Sequence, residues 1–164
     1  MPDVRPVNEM LADTFEPKRS SRWYFKFNED VLPQFVARTM SRPSFTQDSV
    51  QIDYINSKRF LAGKFTWNTM SITLLDPIAP SSSQKVMEWA RLGHETISGR
   101  DGYAAFYKKD FQLMLMDPVG VAVEEWDIRG AFITDATFGD MDYSSAEPVE
   151  ISLTVQPDEC ILRY

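Results

Sequence analysis

The strongest constraint on this chain is a regular alternation of apolar and polar residues near its C-terminal end. In "VEISLTVQ" (residues 149–156) every odd-numbered residue is apolar and every even-numbered residue is polar. Met70, Ile72 and Leu74 alternate in the same way with Ser71 and Thr73. Successive side chains of a β-strand point to opposite faces, so both segments predict strands with one face in a core and one polar face.

The remaining segments predict a mainly β fold: a small antiparallel β-barrel or sandwich with one flanking α-helix and a long protruding β-hairpin. Aromatic residues, 13% of the chain, are typical of strands. The helix is predicted to begin at Ser81–Ser83, to carry Trp89 and Ile97 on its apolar face, and to end at Gly99. Further strands are predicted at residues 22–30, 50–55, 64–75, 107–116 and 121–133. We expect residues 1–21 to form a flexible N-terminal arm and residues 22–164 a single domain.

The predicted hairpin, residues 50–75, has an unusual tip. Loop tips normally carry small or polar residues, because nothing there buries an apolar side chain. This tip instead holds large apolar and basic residues around a predicted turn at Ala62-Gly63-Lys64. Either it folds back onto its own domain or it docks on another molecule, and the sequence leaves both open. The residues concerned are Lys58, Arg59, Phe60, Leu61, Ala62, Gly63 and Lys64.

Composition argues against several classes of function. The formal net charge of −7 disfavours general binding to nucleic-acid backbones or anionic lipids. Cys160 is the only cysteine, so an intrachain disulfide and a multi-thiolate zinc site are both excluded. No apolar segment reaches the length of a membrane span, and we expect no membrane insertion.

Residues suited to catalysis are few. His94, the only histidine, lies near the predicted helix C-terminus, where the helix dipole accounts for it. Cys160 has the character of a buried packing residue. Asp135, Asp140 and Asp142 lack the regular spacing of a calcium loop. We therefore predict no catalytic residue, no metal, no cofactor and no enzymatic activity.

The order of the segments resembles the tail tube proteins of contractile-tailed bacteriophages, which are relatives of the type VI secretion tube protein. The resemblance covers residues 22–162 and rests on "RWYFKF", the hairpin "INSKRFLAGKFTWNTMSITLLDP", the helix with Trp89, and "W-x-I-x-G" at Trp126, Ile128 and Gly130, before the closing "VEISLTVQ". It implies a structural protein of the virion, the major tail tube subunit, assembled in the host cytoplasm. Hexameric rings would stack into a tube, with the tail sheath outside and the baseplate and tail terminator at the ends. DNA would pass through the lumen without specific binding.

The resemblance also implies two sets of site residues. The hairpin residues 58–64 would contact the next ring, and polar residues opposite the core would face the lumen. A one-residue change of register reverses the second set, so an ordinary solvated face stays open. A type VI-like secreted tube, a baseplate-proximal tube initiator and a small ligand-binding barrel are alternatives. The lumen candidates are Asp53, Glu125, Asp127, Glu150, Ser152 and Thr154.

Overall fold

The structure, a computed structural model, describes residues 15–27, 31–33 and 36–163. Antiparallel strands dominate it, which confirms the predicted mainly β class, and two helices lie between the fifth and eighth strands. The strands are β1 (Trp23–Phe27), β2 (Ala37–Met40), β3 (Phe45–Tyr54), β4 (Ser57–Trp67), β5 (Met70–Leu75), β6 (His94–Glu95), β7 (Arg100–Asp101), β8 (Lys109–Met116), β9 (Ala122–Thr137), β10 (Glu150–Gln156) and β11 (Glu159–Leu162). The helices are α1 (Ser82–Gly93) and α2 (Ala104–Tyr107).

The main sheet has seven strands in the order β1-β8-β9-β10-β5-β2, with β11 also paired to β9. The long strand β9 belongs to two parts of this sheet, because its first half pairs with β8 and β11 and its second half with β10. Gly130 lies where the partners change and has a φ of 63°. A Cβ at this position would lie 2.3 Å from Asp158 Oδ2, so only glycine fits this bend.

Alternation places one face of each central strand in a common core. Ile151, Leu153 and Val155 of β10 are buried, as the alternation predicted, and so are Met70, Ile72 and Leu74 of β5. The aromatic residues of β1 and β8 fill the other side of the core. The rings of Phe25 and Phe111 form a T-shaped pair with centroids 5.5 Å apart, and those of Phe27 and Trp89 of α1 form another at 5.5 Å. Large side chains therefore occupy the interior between the two halves of the sheet.

Helix α1 begins as predicted and ends earlier than predicted. Ser81 is its N-cap, and the carboxylate of Asp76 accepts hydrogen bonds from the backbone N–H groups of Ser82 at 2.8 Å and Ser83 at 3.3 Å. The predicted end at Gly99 is wrong, because the chain leaves the helix at Gly93 and forms the small β6–β7 ladder. Ile97, predicted on the helix, lies in the turn of that ladder and is 94% exposed.

Other bounds also differ from the prediction. Of the strand predicted at residues 22–30, residues 23–27 form β1 and residues 28–30 lie outside the described residues. Strand β9 continues past residue 133 to Thr137, and β2, β6, β7, β11 and α2 were not predicted. Of the predicted arm, residues 1–14 lie outside the described residues. In the part of the chain that the structure describes, no helix has the length and apolar character needed to cross a bilayer.

Candidate assembly surface

Strands β3 and β4 form a hairpin, residues 45–67, that extends the sheet beyond its core. Strand β3 follows β2 and strand β4 precedes β5, so the hairpin prolongs the β2–β5 pair outward. Backbone hydrogen bonds join the two stretches, from Ser41 N to Ser71 O at 2.9 Å and from Asn68 N to Ser44 O at 2.9 Å. At about 3.4 Å for each residue, ten-residue β3 is about 34 Å long, longer than six-residue β5 at about 20 Å.

The turn of the hairpin is at residues 54–57, and the predicted turn at Ala62-Gly63-Lys64 is wrong. Ile55 has a φ of 49°, and the hydroxyl of Ser57 donates to the Tyr54 carbonyl at 3.1 Å. Residues 58–64 lie within β4, paired with β3. Gly63 allows the two strands to come close together and does not form a turn. A Cβ at this position would lie 3.0 Å from Asp48 Cβ, beside the bulge between Gln47 and Ser49.

The outer half of the hairpin has two different faces, because cross-strand partners share a face. One face, named here the apolar face, contains Val50, Ile52 and Tyr54 of β3 with Leu61 and Arg59 of β4. Its four apolar side chains are 47–71% exposed. The opposite face contains Gln51 and Asp53 with their partners Phe60 and Lys58. Phe60 and Leu61, which the sequence placed together at the tip, therefore lie on opposite faces.

Aromatic residues attach the root of the hairpin to the domain. The rings of Phe45 and Phe65 stack at 4.7 Å, and Phe65 contacts Trp67 at 5.2 Å. Trp67 in turn lies 6.5 Å from Trp126 of β9. The hairpin thus leaves the core along a continuous row of rings, and only its outer half lacks a packing partner among the described residues.

Glu124 of β9 lies beneath this root and is 4% exposed. Its carboxylate pairs with Lys18 from the N-terminal segment and with Arg42 from the β2–β3 connection, and it accepts a hydrogen bond from Trp126 Nε1 at 2.6 Å. Desolvation by itself would raise the pKa of Glu124, but the bonds from Lys18, Trp126 and Arg42 outweigh it and lower the pKa to about 2. This buried anion links three chain segments at the base of the hairpin.

Sequence reasoning did not single out Glu124. The signal was present, since Glu124 precedes Trp126 and Ile128 by two and four residues and so shares their face of the strand. A carboxylate at a position facing the core needs a cation partner. Its neighbour Glu125 was chosen instead, on the opposite face.

The six lumen candidates do not form one surface. Glu150, Ser152 and Thr154 share the outer face of β10, as predicted. Asp53 is on the hairpin, and Glu125 is on the part of β9 that pairs with β8.

Asp127, a lumen candidate also on the β8-paired part of β9, is 6% exposed and so is not open to water in the described chain; its place in a lumen stays a prediction. Arg163 Nε lies 2.7 Å and Gln112 Nε2 2.9 Å from its oxygens. Burial opposes ionisation of Asp127, but the bond and charge of Arg163 with the Gln112 bond lower its pKa. Glu150 is ion-paired with Arg38 of β2.

Groups suited to catalysis remain scattered. His94 Nδ1 lies 2.7 Å from Asp101 Oδ1 on the exposed β6–β7 ladder. Cys160 is buried, and desolvation followed by the charge of Glu159 raises its thiol pKa to about 11. Among the described residues, no group of three or more His, Cys, Asp or Glu side chains is arranged to hold a metal ion.

Comparison with known proteins finds solved structures with a similar fold. No protein-family model and no curated protein matches the chain. A chain from the tube-terminating cap of the anti-feeding prophage matches with a TM-score of 0.69 at 17% identity, over 97% of this chain and 99% of that one. A chain from the sheath–tube complex of the extracellular contractile injection system PVC, in the extended state, gives 0.67 at 17% identity, over 98% and 99%. The SPP1 tail tube gives 0.56 at 13% identity, over 89% and 78%. The chain therefore has the tail tube fold, as the sequence resemblance implied.

Proposed function

We propose that the chain is a structural tube subunit of a contractile tail or contractile injection system. Residues 22–164 act as one ring-forming domain preceded by the arm of residues 1–21, and hexameric rings stack into a tube. The observation that carries the proposal is the hairpin: it prolongs a tail tube fold with apolar side chains that no described residue covers. The similarity to the cap protein extends over 97% of this chain and 99% of that chain.

Within a ring, free sheet edges provide the contacts between subunits. The edges of the main sheet are β1, β2 and β11, each paired on one side only in the described chain. Unpaired strand edges favour pairing with another chain, and closure into a ring removes them. The half-buried Met114 and Met116 lie on the outer face of β8, opposite the core residues Leu113 and Leu115, and offer a second apolar contact.

The lumen wall in this proposal is the outer face of β5 and β10. This face carries the hydroxyls of Ser71, Thr73, Ser152 and Thr154, and the cross-strand register places Ser152 beside Thr73 and Thr154 beside Ser71. It belongs to the half of the sheet that the hairpin prolongs, so one surface would continue from ring to ring. Hydroxyl groups offer a phosphate backbone no counter-charge, which suits DNA that passes without specific binding.

At the finer level we propose the major tail tube subunit of a phage. The sheath would then surround the tube, the baseplate and terminator would close its ends, and the genome would pass through the lumen after assembly of the virion in the host cytoplasm. A tube of an extracellular injection system is the second candidate. Higher TM-scores favour it, 0.67–0.69 for chains of such systems against 0.56 for the SPP1 tail tube. A ligand-binding barrel is disfavoured because Phe25, Phe111 and Met70 fill the interior.

Negative-stain electron microscopy over a range of protein concentrations tests the proposal. The wild-type chain is compared with a Phe60→Asp, Leu61→Asp variant, which places one charge on each hairpin face. Ile97→Asp is the control, since Ile97 is also an exposed apolar residue but lies on the β6–β7 turn. We expect rings and tubes from the wild type and the control, and single rings from the double variant.

A wild-type chain that stays monomeric at every concentration, including in crowded solution, would contradict the proposal. Where tubes form, nuclease-resistant DNA recovered from purified particles separates the phage candidate from the injection-system candidate. It is expected for a phage tail after capsid attachment and not for an injection system that lacks a capsid.

A further inference from the structure

The hairpin and the loop of residues 138–149 project from opposite ends of the same sheet. Val155 of β10 pairs with Met70 at the end of β5 from which the hairpin departs. Glu150 pairs with Leu75 at the other end, and Asp76 N donates to the Val149 carbonyl there at 3.0 Å. The loop of residues 138–149, which runs directly into Glu150, therefore lies at the end away from the hairpin. We call this segment the acidic loop.

The two ends carry opposite charge. The hairpin, residues 45–67, contains Lys58, Arg59 and Lys64 against Asp48 and Asp53, a net charge of +1 in a chain of −7. The acidic loop contains Asp140, Asp142 and Glu147 and no basic residue. Hydrogen bonds from the backbone N–H and the hydroxyl of Ser144 lower the pKa of Asp142 and so favour its charged form.

Both ends also expose large apolar side chains. At the hairpin tip Tyr54 and Ile55 are 71% and 86% exposed. Met141 and Tyr143 of the acidic loop are exposed to a similar or greater extent. Apolar anchors within a rim of complementary charge are the usual composition of a specific protein interface.

We propose that the hairpin tip of one copy docks on the acidic loop of a second copy, with Lys58 and Arg59 facing Asp140 and Asp142. The inference rests on the proposed tube function and names the surface that receives the hairpin. In a head-to-tail stack, the end that meets an incoming hairpin is the end opposite the copy's own hairpin, and the acidic loop is at that end. Such a heterologous contact does not close on itself and so propagates along an axis.

Charge exchange tests the pairing. The Lys58→Glu, Arg59→Glu variant places acid against acid, and we expect a fall of about tenfold or more in mean tube length, with single rings retained. Addition of Asp140→Lys and Asp142→Lys to the same chain restores opposite charge and is expected to return the length to within about twofold of wild type. Lys85→Glu with Arg91→Glu, on the exposed side of α1, is the control for charge reversal elsewhere. Failure of the exchanged variant to lengthen the tubes would overturn the pairing.

Cysteine cross-linking locates the contact without dependence on charge. The Asn56→Cys, Ser144→Cys variant joins tip to loop only between copies, so mild oxidation of assembled protein is expected to give a ladder of covalent multimers in non-reducing gels. Asn56→Cys with Gln84→Cys on α1 is the matched control, and native Cys160 is buried in both. Tubes that form normally and give no more ladder than the control would overturn the inference while the tube function stands. Wild-type protein that forms neither rings nor tubes would overturn both.

Discussion

Replacement of Glu124 by glutamine should destabilise the domain in a way that depends on pH. Glu124 is buried as an anion between Lys18 and Arg42, so Glu124→Gln keeps the shape of the side chain and removes its charge. The fall of its pKa from an ordinary 4.5 to about 2, at about 1.4 kcal/mol for each pH unit, corresponds to a limit of about 3 kcal/mol. The Lys18 and Arg42 side chains are 51% and 58% exposed, and solvent screening reduces the expected loss to about 2 kcal/mol at pH 7.

The pH dependence has a definite sign. The folded-state pKa lies below the unfolded value, so the charge of Glu124 stabilises the fold above pH 4.5 and this contribution is lost as the pH falls from 4.5 towards 2. Urea unfolding of wild type and Glu124→Gln at pH 7 should therefore differ by about 2 kcal/mol, and the difference should shrink towards zero near pH 2. Glu159→Gln, at an exposed position of β11, is the control and should match wild type at both values. Equal stability of Glu124→Gln and wild type at pH 7, or an equal loss at both pH values, would refute this account of the network.

Three further substitutions or measurements follow from single contacts. Asp76→Ala removes the acceptor of the Ser82 and Ser83 N–H groups and should cost about 1–2 kcal/mol in urea unfolding, whereas an unchanged midpoint would show that water replaces the carboxylate. Gly130→Ala should cost about 1–3 kcal/mol, because it combines a φ of 63° with a contact to Asp158; thermal unfolding at the wild-type temperature would argue that β9 bends elsewhere. The Cys160 thiol, with its pKa raised from 9.0 to about 11, should react with a disulfide reagent about a hundredfold more slowly in the folded protein than in urea, and comparable rates would contradict its burial.

The periodic parts of the fold could be predicted from the sequence. Alternation in β5 and β10 reports directly which side chains are buried, and the Ser81 cap marks the start of α1. The turn before β9 is likewise local, since Gly120 N donates to the Asp117 carbonyl at 3.2 Å. Each of these features depends on neighbouring residues alone.

The features that were missed depend on contacts between distant residues. Gly63 suggested a turn, but its reason is the approach of Asp48 across the hairpin, while the real turn places Ile55 in a conformation unusual for a branched side chain. The strand predicted at residues 121–133 already runs through Gly130, but the sequence does not reveal that β9 changes partners there. Short strands such as β2 carry too few residues for a visible period, and their existence follows only from pairing with β5.

The proposed assembly depends on the outer half of the hairpin. A two-stranded hairpin alone is at best marginally stable in water, and it gains independent stability only by packing on something else. Here the row of rings from Phe45 to Trp126 and the ion pairs of Glu124 stabilise the root of the hairpin. The domain therefore fixes the direction of the hairpin, while its outer half stays exposed. Burial of this exposed apolar surface by a partner would contribute about 25 cal/mol of binding free energy for each Å². In the proposed stack, the exposed apolar side chains of the hairpin would contribute to association from a segment that projects from one end of the sheet, and this polarity favours head-to-tail addition over pairing between two identical faces.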